Sequence, residues 1–388
     1  MVPEVNLVVA VVVVKRTGYS LVGLLLCGVA QATVLPEERA DVLYHSYQGG
    51  GVTIQGPSIL VRKQSSANTS VVANYYVDMV TSASIDVVTT ASKYEEQRKE
   101  KSLGIDYLHG KNKMSLSYKV SKENDYYARS ANVDISQDMF GDLTTVTLGF
   151  SRGWDVVGKR NDSSFAKDTN RRNYRIGLSQ IISKNTIMGA SFETITDEGF
   201  LNNPYRTVRY VDTGVSRGYS YQPEVYPNTH TSNALSFRAK YYLPYRAALR
   251  AEVRFYQDDW GVVGQNLEIG YTHPLNDRWI LDGHIRTYRQ SKADFYSDLF
   301  PGQDAQNFLA RDKELSTFSN LTLGFGVSYT LLQGGWHFID RGSINLAYDL
   351  IQFDFQDFRD LRNGGTVGNE PLYHYNANVI QFFVSIWY

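Results

Sequence analysis

The sequence predicts an all-β protein, a transmembrane antiparallel β-barrel of about sixteen strands, with fourteen the alternative if one weak hairpin is loop. Three observations lead there. Tyrosine occurs 28 times and aromatics make up 13% of the chain, yet mean hydropathy is −0.32 and 20% of residues are charged. Segments about ten residues long alternate apolar and polar side chains. The links between them alternate short and long in chain order. A chain rich in aromatics but polar on average fits a wall that is greasy outside and wet inside. A tyrosine-rich soluble β-sandwich has the same composition, so alternation and links must decide.

At the amino terminus, Lys15 and Arg16 precede the apolar stretch Leu21 to Ala30, and Ala30-Gln31-Ala32 follows. A basic region, a short apolar region and a small-x-small site are the layout of an export signal. Residues 1–32 are therefore expected to be a signal peptide cut after about Ala32, and residues 33–388 one barrel domain. The additional apolar run Leu7 to Val14 is more than such a signal needs. Residues 1–13 read as a start-site extension, with translation beginning near Val14. Neither run reaches the roughly 20 residues of a spanning helix. The single cysteine, Cys27, falls in the leader, and Leu26 before it argues against a lipidated cysteine. The exported part then carries no thiol, disulfide or cysteine metal site, which suits an oxidising periplasm. A net charge of −1 gives no reason to expect nucleic acid as a partner.

The strands follow from period-2 alternation. Met114, Leu116, Tyr118 and Val120 alternate with Ser115, Ser117, Lys119 and Ser121 over 112–122. Val146, Leu148 and Phe150 do so over 141–152, and Leu235, Phe237, Ala239, Tyr241 and Leu243 over 232–243. Residues 246–257 set Leu249, Ala251, Val253 and Phe255 against Arg250, Glu252 and Arg254. Residues 316–330 set Leu321, Leu323, Phe325, Val327 and Tyr329 against Asn320, Thr322, Gly324, Gly326 and Ser328. Short links are expected near 65–69, 109–111, 139–142, 184–185, 244–245, 273–276 and 331–338. Long or polar ones are expected at 81–97, 123–127, 153–172, 197–231, 258–261, 291–315 and 355–375. Short periplasmic turns and longer extracellular loops are the asymmetry of an outer-membrane barrel.

The last strand alternates Ile380, Phe382, Val384, Ile386 and Tyr388 out to the final residue. This pattern resembles the carboxyl-terminal signal that such barrels present to the barrel-assembly machinery, an expected partner. Deleting Tyr388 is expected to reduce insertion while leaving export intact. Counting back from Tyr388, an even strand number requires an upward crossing before residue 57. Asp41 to Gln48, turned by Gly49-Gly50-Gly51, is the candidate; alternatively residues 33–56 form a periplasmic or luminal segment.

No nucleotide, phosphate or zinc motif is present, and the 7 histidines lie scattered with no close His or Cys partner. No metal or cofactor is expected. On the inward parity of 232–290 lie Arg238, Lys240, Arg250, Glu252, Arg254, Glu268, Asp282, His284 and Arg286, the candidate lumen-lining set. Charges of both signs there can line a water-filled pore or brace a closed lumen. An Asp282–His284 hydrolase is the weaker reading, because side chains two apart on one strand stand parallel. The aromatic loop Tyr219 to Tyr226 would bind carbohydrate or fold inward as a constriction, although tyrosine near a membrane surface is more often an interfacial anchor.

Four stretches resemble a family. They are Leu35-Pro36-Glu37-Glu38-Arg39-Ala40-Asp41-Val42-Leu43-Tyr44-His45-Ser46-Tyr47 with Gly49-Gly50-Gly51-Val52, residues 75–87 from Tyr75 to Val87, residues 197–206 from Asp197 to Arg206, and residues 307–316 from Asn307 to Ser316. On these the chain resembles an uncharacterised domain-of-unknown-function family of proteobacterial outer-membrane β-barrels. The segment with Gly334-Gly335-Trp336 and residues 355–375 stand outside the resemblance. The resemblance carries no catalytic residues. It implies genomic neighbours of flavin-transferase and thioredoxin-like type, and so a periplasmic redox partner. The expected function is an outer-membrane channel or transporter, not an enzyme. The alternatives are a structural barrel scaffolding a periplasmic or redox partner and, less favoured, an outer-membrane hydrolase.

Overall fold

The computed structural model describes residues 34–82, 94–160, 162–332 and 334–388. The expected signal peptide, its start-site extension and Cys27 lie outside the described residues. In chain order the strands are β1 (Arg39–Gly49), β2 (Val52–Ser66), β3 (Thr69–Ser82), β4 (Tyr94–His109), β5 (Asn112–Lys122) and β6 (Tyr126–Met139). Then come β7 (Thr144–Lys159), β8 (Asp162–Ser183), β9 (Thr186–Gly199), β10 (Thr207–Val211), β11 (Tyr219–Pro223) and β12 (Thr229–Tyr242). The remainder are β13 (Ala248–Asp258), β14 (Val263–Pro274), β15 (Trp279–Gln290), β16 (Phe318–Leu332), β17 (Arg341–Arg359) and β18 (Leu372–Trp387). All except β10 and β11 form one closed antiparallel barrel of 16 strands, and β10 and β11 pair with each other as a separate hairpin.

The barrel closes where β1 pairs with β18, with Arg39 opposite Trp387 and Gly49 opposite Ala377. Closure leaves no strand edge, as a lipid-spanning sheet requires. The two faces separate by parity. Val42, Tyr44, Leu103, Ile105, Leu116, Leu148, Ile176, Phe237, Leu267, Leu323 and Phe325 are exposed outward. On the opposite parity lie Ser70, Asp78, Asp106, Asp282, Arg286, Thr322, Asn345 and Gln381, all buried. An apolar exterior around a polar interior inverts the soluble rule and is stable only in lipid.

Links sort by end. At one end β2–β3, β4–β5, β6–β7, β8–β9, β12–β13, β14–β15 and β16–β17 are joined by short turns; this is the turn end, and both 39 and 387 lie there. Among the described residues, the loop end carries the long segments 200–228, 291–317 and 360–371. One expected long link differs: residues 153–172 are mostly strand, with β7 running to Lys159 and β8 beginning at Asp162. Pairing continues there, with Trp154 opposite Asn170 and Gly158 opposite Ala166. Above the lipid neither face need be apolar, so the polar composition of a strand that overtops the membrane reads as loop.

Candidate functional site

The inner wall is laced by ion pairs between adjacent strands and between strands two apart. Arg250 donates from Nη1 and Nη2 to Asp282 at 2.5 and 2.9 Å, and its Nε lies 3.6 Å from Glu268. Register explains the contact, since Arg250 faces Gly270 across β13–β14. A Cβ at Gly270 would stand 2.3 Å from the guanidinium carbon, so a side chain there would push Arg250 out of this position. Arg254 reaches Glu193 at 3.2 Å, Lys119 reaches Glu100 at 3.3 Å, and Arg175 pairs with Asp134.

The expected lumen set is thus divided. Arg250, Arg254, Glu268 and Asp282 belong to this lattice, while Arg286 donates to Thr322 at 3.2 Å. Glu252 lies opposite Arg238 and Glu268 in register. Arg238 and Lys240 stay exposed on the inner parity near the turn end of β12. His284 does not meet Asp282; it lies 3.6 Å from Asp349 of β17, over Gly324. The hydrolase-like pair of the sequence is therefore not assembled, because Asp282 is taken by Arg250 and Thr272.

A second cluster had no signal in the sequence. His45 Nε2 lies 2.7 Å from Asp78 Oδ1 and 3.0 Å from the Tyr76 hydroxyl, with the two rings stacked at 4.8 Å. These residues sit on β1 and β3, separated by β2, whose residue opposite His45 is Gly56, with no side chain to stand between them.

The three long segments fold together as a lid at the loop end. β10 and β11 form its hairpin. Single bridges join Tyr210 to Phe300, Val225 to Leu309 and Tyr296 to Ala310, so 200–228 and 291–317 are stitched together. Lid residues Tyr226, Ala293, Phe295, Tyr296, Ala310 and Leu315 pack with Tyr47, Ile54, Val80, Ile351, Phe353 and Val379 in one buried cluster. The second group lines the inner face at the loop end of β1–β3, β17 and β18, so the lid sits in the mouth of the barrel. It spans that mouth: Tyr205 donates to Asp125 at 2.6 Å on one side, and Tyr296 donates to the Asp357 carbonyl at 3.1 Å on the other.

Arg209 is the centre of the lid. Its side chain is 0% exposed; Nε donates to the Asp298 carbonyl at 2.9 Å, Nη1 and Nη2 donate to Glu370 at 2.6 and 3.0 Å, and Nη2 also reaches the Asp298 carboxylate. One guanidinium thereby ties all three segments together. Burial disfavours its charge, but Glu370 and Asp298 outweigh burial and raise its pKa. Burial likewise pushes Glu370 up, yet the hydrogen bonds from Arg209 hold its carboxyl below the usual range. Arg311 grips the other Asp298 oxygen at 2.9 Å and lies 4.5 Å over the Phe358 ring.

Glu224 is different. It accepts from the Arg311 amide at 2.8 Å and from the Tyr226 hydroxyl at 2.9 Å. Burial dominates there, with Arg206 opposing it, and its pKa is pushed up to about 7. The aromatic loop therefore sends Glu224 and Tyr226 inward, while Tyr219 flanks Arg209 at 5.4 Å. Neither Arg209 nor its partners could be read from the sequence, because Asp298 and Glu370 lie 89 and 161 residues away along the chain.

The terminal strand presents Ile380, Phe382, Val384, Ile386 and Tyr388 on the outward parity, with Ile380 and Phe382 exposed. Tyr388 donates to the Arg62 carbonyl at 3.0 Å, reaching past β1 to β2. Among the described residues no group of three or more His, Cys, Asp or Glu side chains is placed to hold a metal ion.

The chain is similar to several solved outer-membrane barrels. One described as a bacterial polysaccharide outer membrane secretin gives a TM-score of 0.47 at 8% identity, covering 91% of this chain and 100% of that one. A loop-deleted OmpT, an outer membrane protein of Vibrio cholerae, gives 0.44 at 9% identity over 90% and 98%. CdiB from Acinetobacter baumannii gives 0.49 at 10% identity over 90% and 60%. No curated protein matches the chain. Residues 89–341 match the profile of a family described as protein of unknown function (DUF3570), which takes in two of the four stretches quoted above, and the chain is a member of that family.

Proposed function

We propose that this protein is a gated channel or transporter for small polar solutes in the bacterial outer membrane, with its loop end facing outward. The inner wall is polar and charged, as a water-filled conduit requires. Arg238 and Lys240 are exposed on the inner face of the turn half, consistent with a solvated vestibule. The observation that carries the reading is Arg209, which fastens three loops across the mouth while remaining fully buried. A channel that is open by default has no use for such a fastening. Export by a leader at 1–32 and recognition of the last strand by the barrel-assembly machinery belong to the same reading. We assign no catalytic role to Asp282 or His284, whose partners are Arg250 and Asp349.

A closed mouth also favours a second reading, a scaffold that holds a periplasmic or redox partner at the turn end. Planar-bilayer conductance separates the two. The wild type should open rarely, and a variant with residues 207–223 replaced by a flexible linker should conduct steadily. Silence from both, with both folded, would leave the scaffold.

A further inference from the structure

The outer wall is not uniform just loopward of its apolar belt. On β4–β8 the outward residues there include Lys99, Lys101, Lys122, Arg129, Arg152 and Arg172, with Val120, Ala131 and Trp154 between them. They form one surface: Lys99 is opposite Lys122, Val120 is opposite both Lys101 and Arg129, and Arg152 is opposite Arg172. Each stands about eight to eleven residues from the turn-end terminus of its strand. A tilted strand climbs about 2.5 Å per residue, so the cations lie roughly 20–27 Å up, at the rim of the ~25 Å apolar band. Exposed Leu103, Val133, Phe150 and Tyr174 lie immediately turnward of them.

Their surroundings are interfacial. Arg129 lies 5.5 Å over Tyr127, Arg152 lies 5.1 Å over Trp154, and Lys101 lies 6.0 Å over Tyr75. Aromatics at this height anchor a barrel at the headgroup level. Of the six cations, Arg172 alone has a carboxylate partner among the described residues, Glu198 at 3.2 Å. Glu95 and Asp168 are further outward carboxylates of this face, both nearer the loop end than the cations. At the same height around the rest of the wall stand neutral groups: Gln55, Asn233, Gln257, Gln265, Gln352 and Asn378. The cation found there, Arg289, is engaged by Gln265 at 2.7 Å.

Cations at the rim of the apolar band are tolerated there, and they attract an anion from the surrounding lipid surface. We propose that this face of β4–β8 binds a multiply phosphorylated lipid headgroup in the leaflet at the loop end. A membrane surface supplies phosphate at that height, and basic side chains beside an apolar wall attract it. Five strands at ~4.8 Å spacing span about 19 Å, wider than one phosphate and suited to a headgroup carrying two. The surface rests on the outward placement of the loop end proposed above. Binding in detergent does not depend on that placement, so a loop end found facing the periplasm would overturn the orientation and leave the surface standing.

The test is native mass spectrometry of the folded full barrel with lipid A, a bisphosphorylated glycolipid, and with its dephosphorylated form. Wild type should retain the phosphorylated lipid at least tenfold better than the dephosphorylated one. Excess inorganic phosphate should not displace it. The K99Q/K122Q/R129Q/R152Q variant should lose at least tenfold in retention, and R289Q, at the same height on the far wall, should lose nothing. Heat-modifiable gel mobility reports folding, and the wild-type comparison decides even where the quadruple variant fails to fold. Equal retention of both lipids, displacement by free phosphate, or an unchanged quadruple variant would each overturn the proposal.

Discussion

Arg209→Ala is the most informative single change. It removes a guanidinium that is 0% exposed and makes four hydrogen bonds to partners on two other segments. Asp298 is not orphaned, since Arg311 still donates to its Oδ1 at 2.9 Å, and Glu370 keeps the Gly368 amide at 3.0 Å. Breaking a buried pair by deleting one partner costs about 3–5 kcal/mol, and these residual bonds place the cost near the lower bound. At about 1.4 kcal/mol per tenfold, 3 kcal/mol shifts the closed-to-open ratio of the lid by roughly a hundredfold. Single-channel recording in planar bilayers reads this as open probability, which should rise by about two orders of magnitude. Adding Glu370→Gln to Arg209→Ala should change little further, because the second change removes a charge the first left unpaired. An Arg209→Ala barrel that is folded and heat-modifiable but opens no more often than wild type would refute the reasoning.

Acidity should act on the lid through Glu224. Its pKa in the closed lid is pushed up to about 7 from an ordinary 4.5, so the closed form binds more protons than the opened one between those values. Closure is therefore strongest near the lower value and weakens as pH rises through 7; open probability measured across that range should climb, and Glu224→Gln should flatten the climb. Arg238 and Lys240 are exposed cations on the inner wall, so R238E/K240E should move the reversal potential in a salt gradient toward cation selectivity. Gly324→Val would place its Cβ 1.9 Å from the His284 ring and 2.5 Å from Asp349, and such overpacking should cost about 1–3 kcal/mol in denaturant titrations of the refolded barrel.

The wall was legible because lipid imposes a strict alternation on it. The 112–122 segment coincides with β5, and 232–243, 246–257 and 316–330 overlap β12, β13 and β16 on the parities expected. Legibility stops where lipid stops. The upper parts of β7 and β8 carry Asp155, Lys159, Asp168 and Arg171, and such composition reads as loop although the ladder continues. The lid is illegible for another reason. Arg209, Glu224 and Asp298 look like surface charges one at a time, and their burial depends on contacts between segments far apart in the chain. The His45–Asp78 contact likewise joins residues 33 apart in the chain and needs β1, β2 and β3 in register before its members meet.

The proposed channel has a lumen that opens toward the turn end and is shut at the loop end. Because Cys27 is the single cysteine, a C27S/K240C barrel carries one reporter thiol on the inner wall. A membrane-impermeant, charged thiol reagent should label it readily from the turn side and not from the loop side, and adding Arg209→Ala should admit the reagent from both. Equal labelling from the loop side with the lid intact would contradict the account.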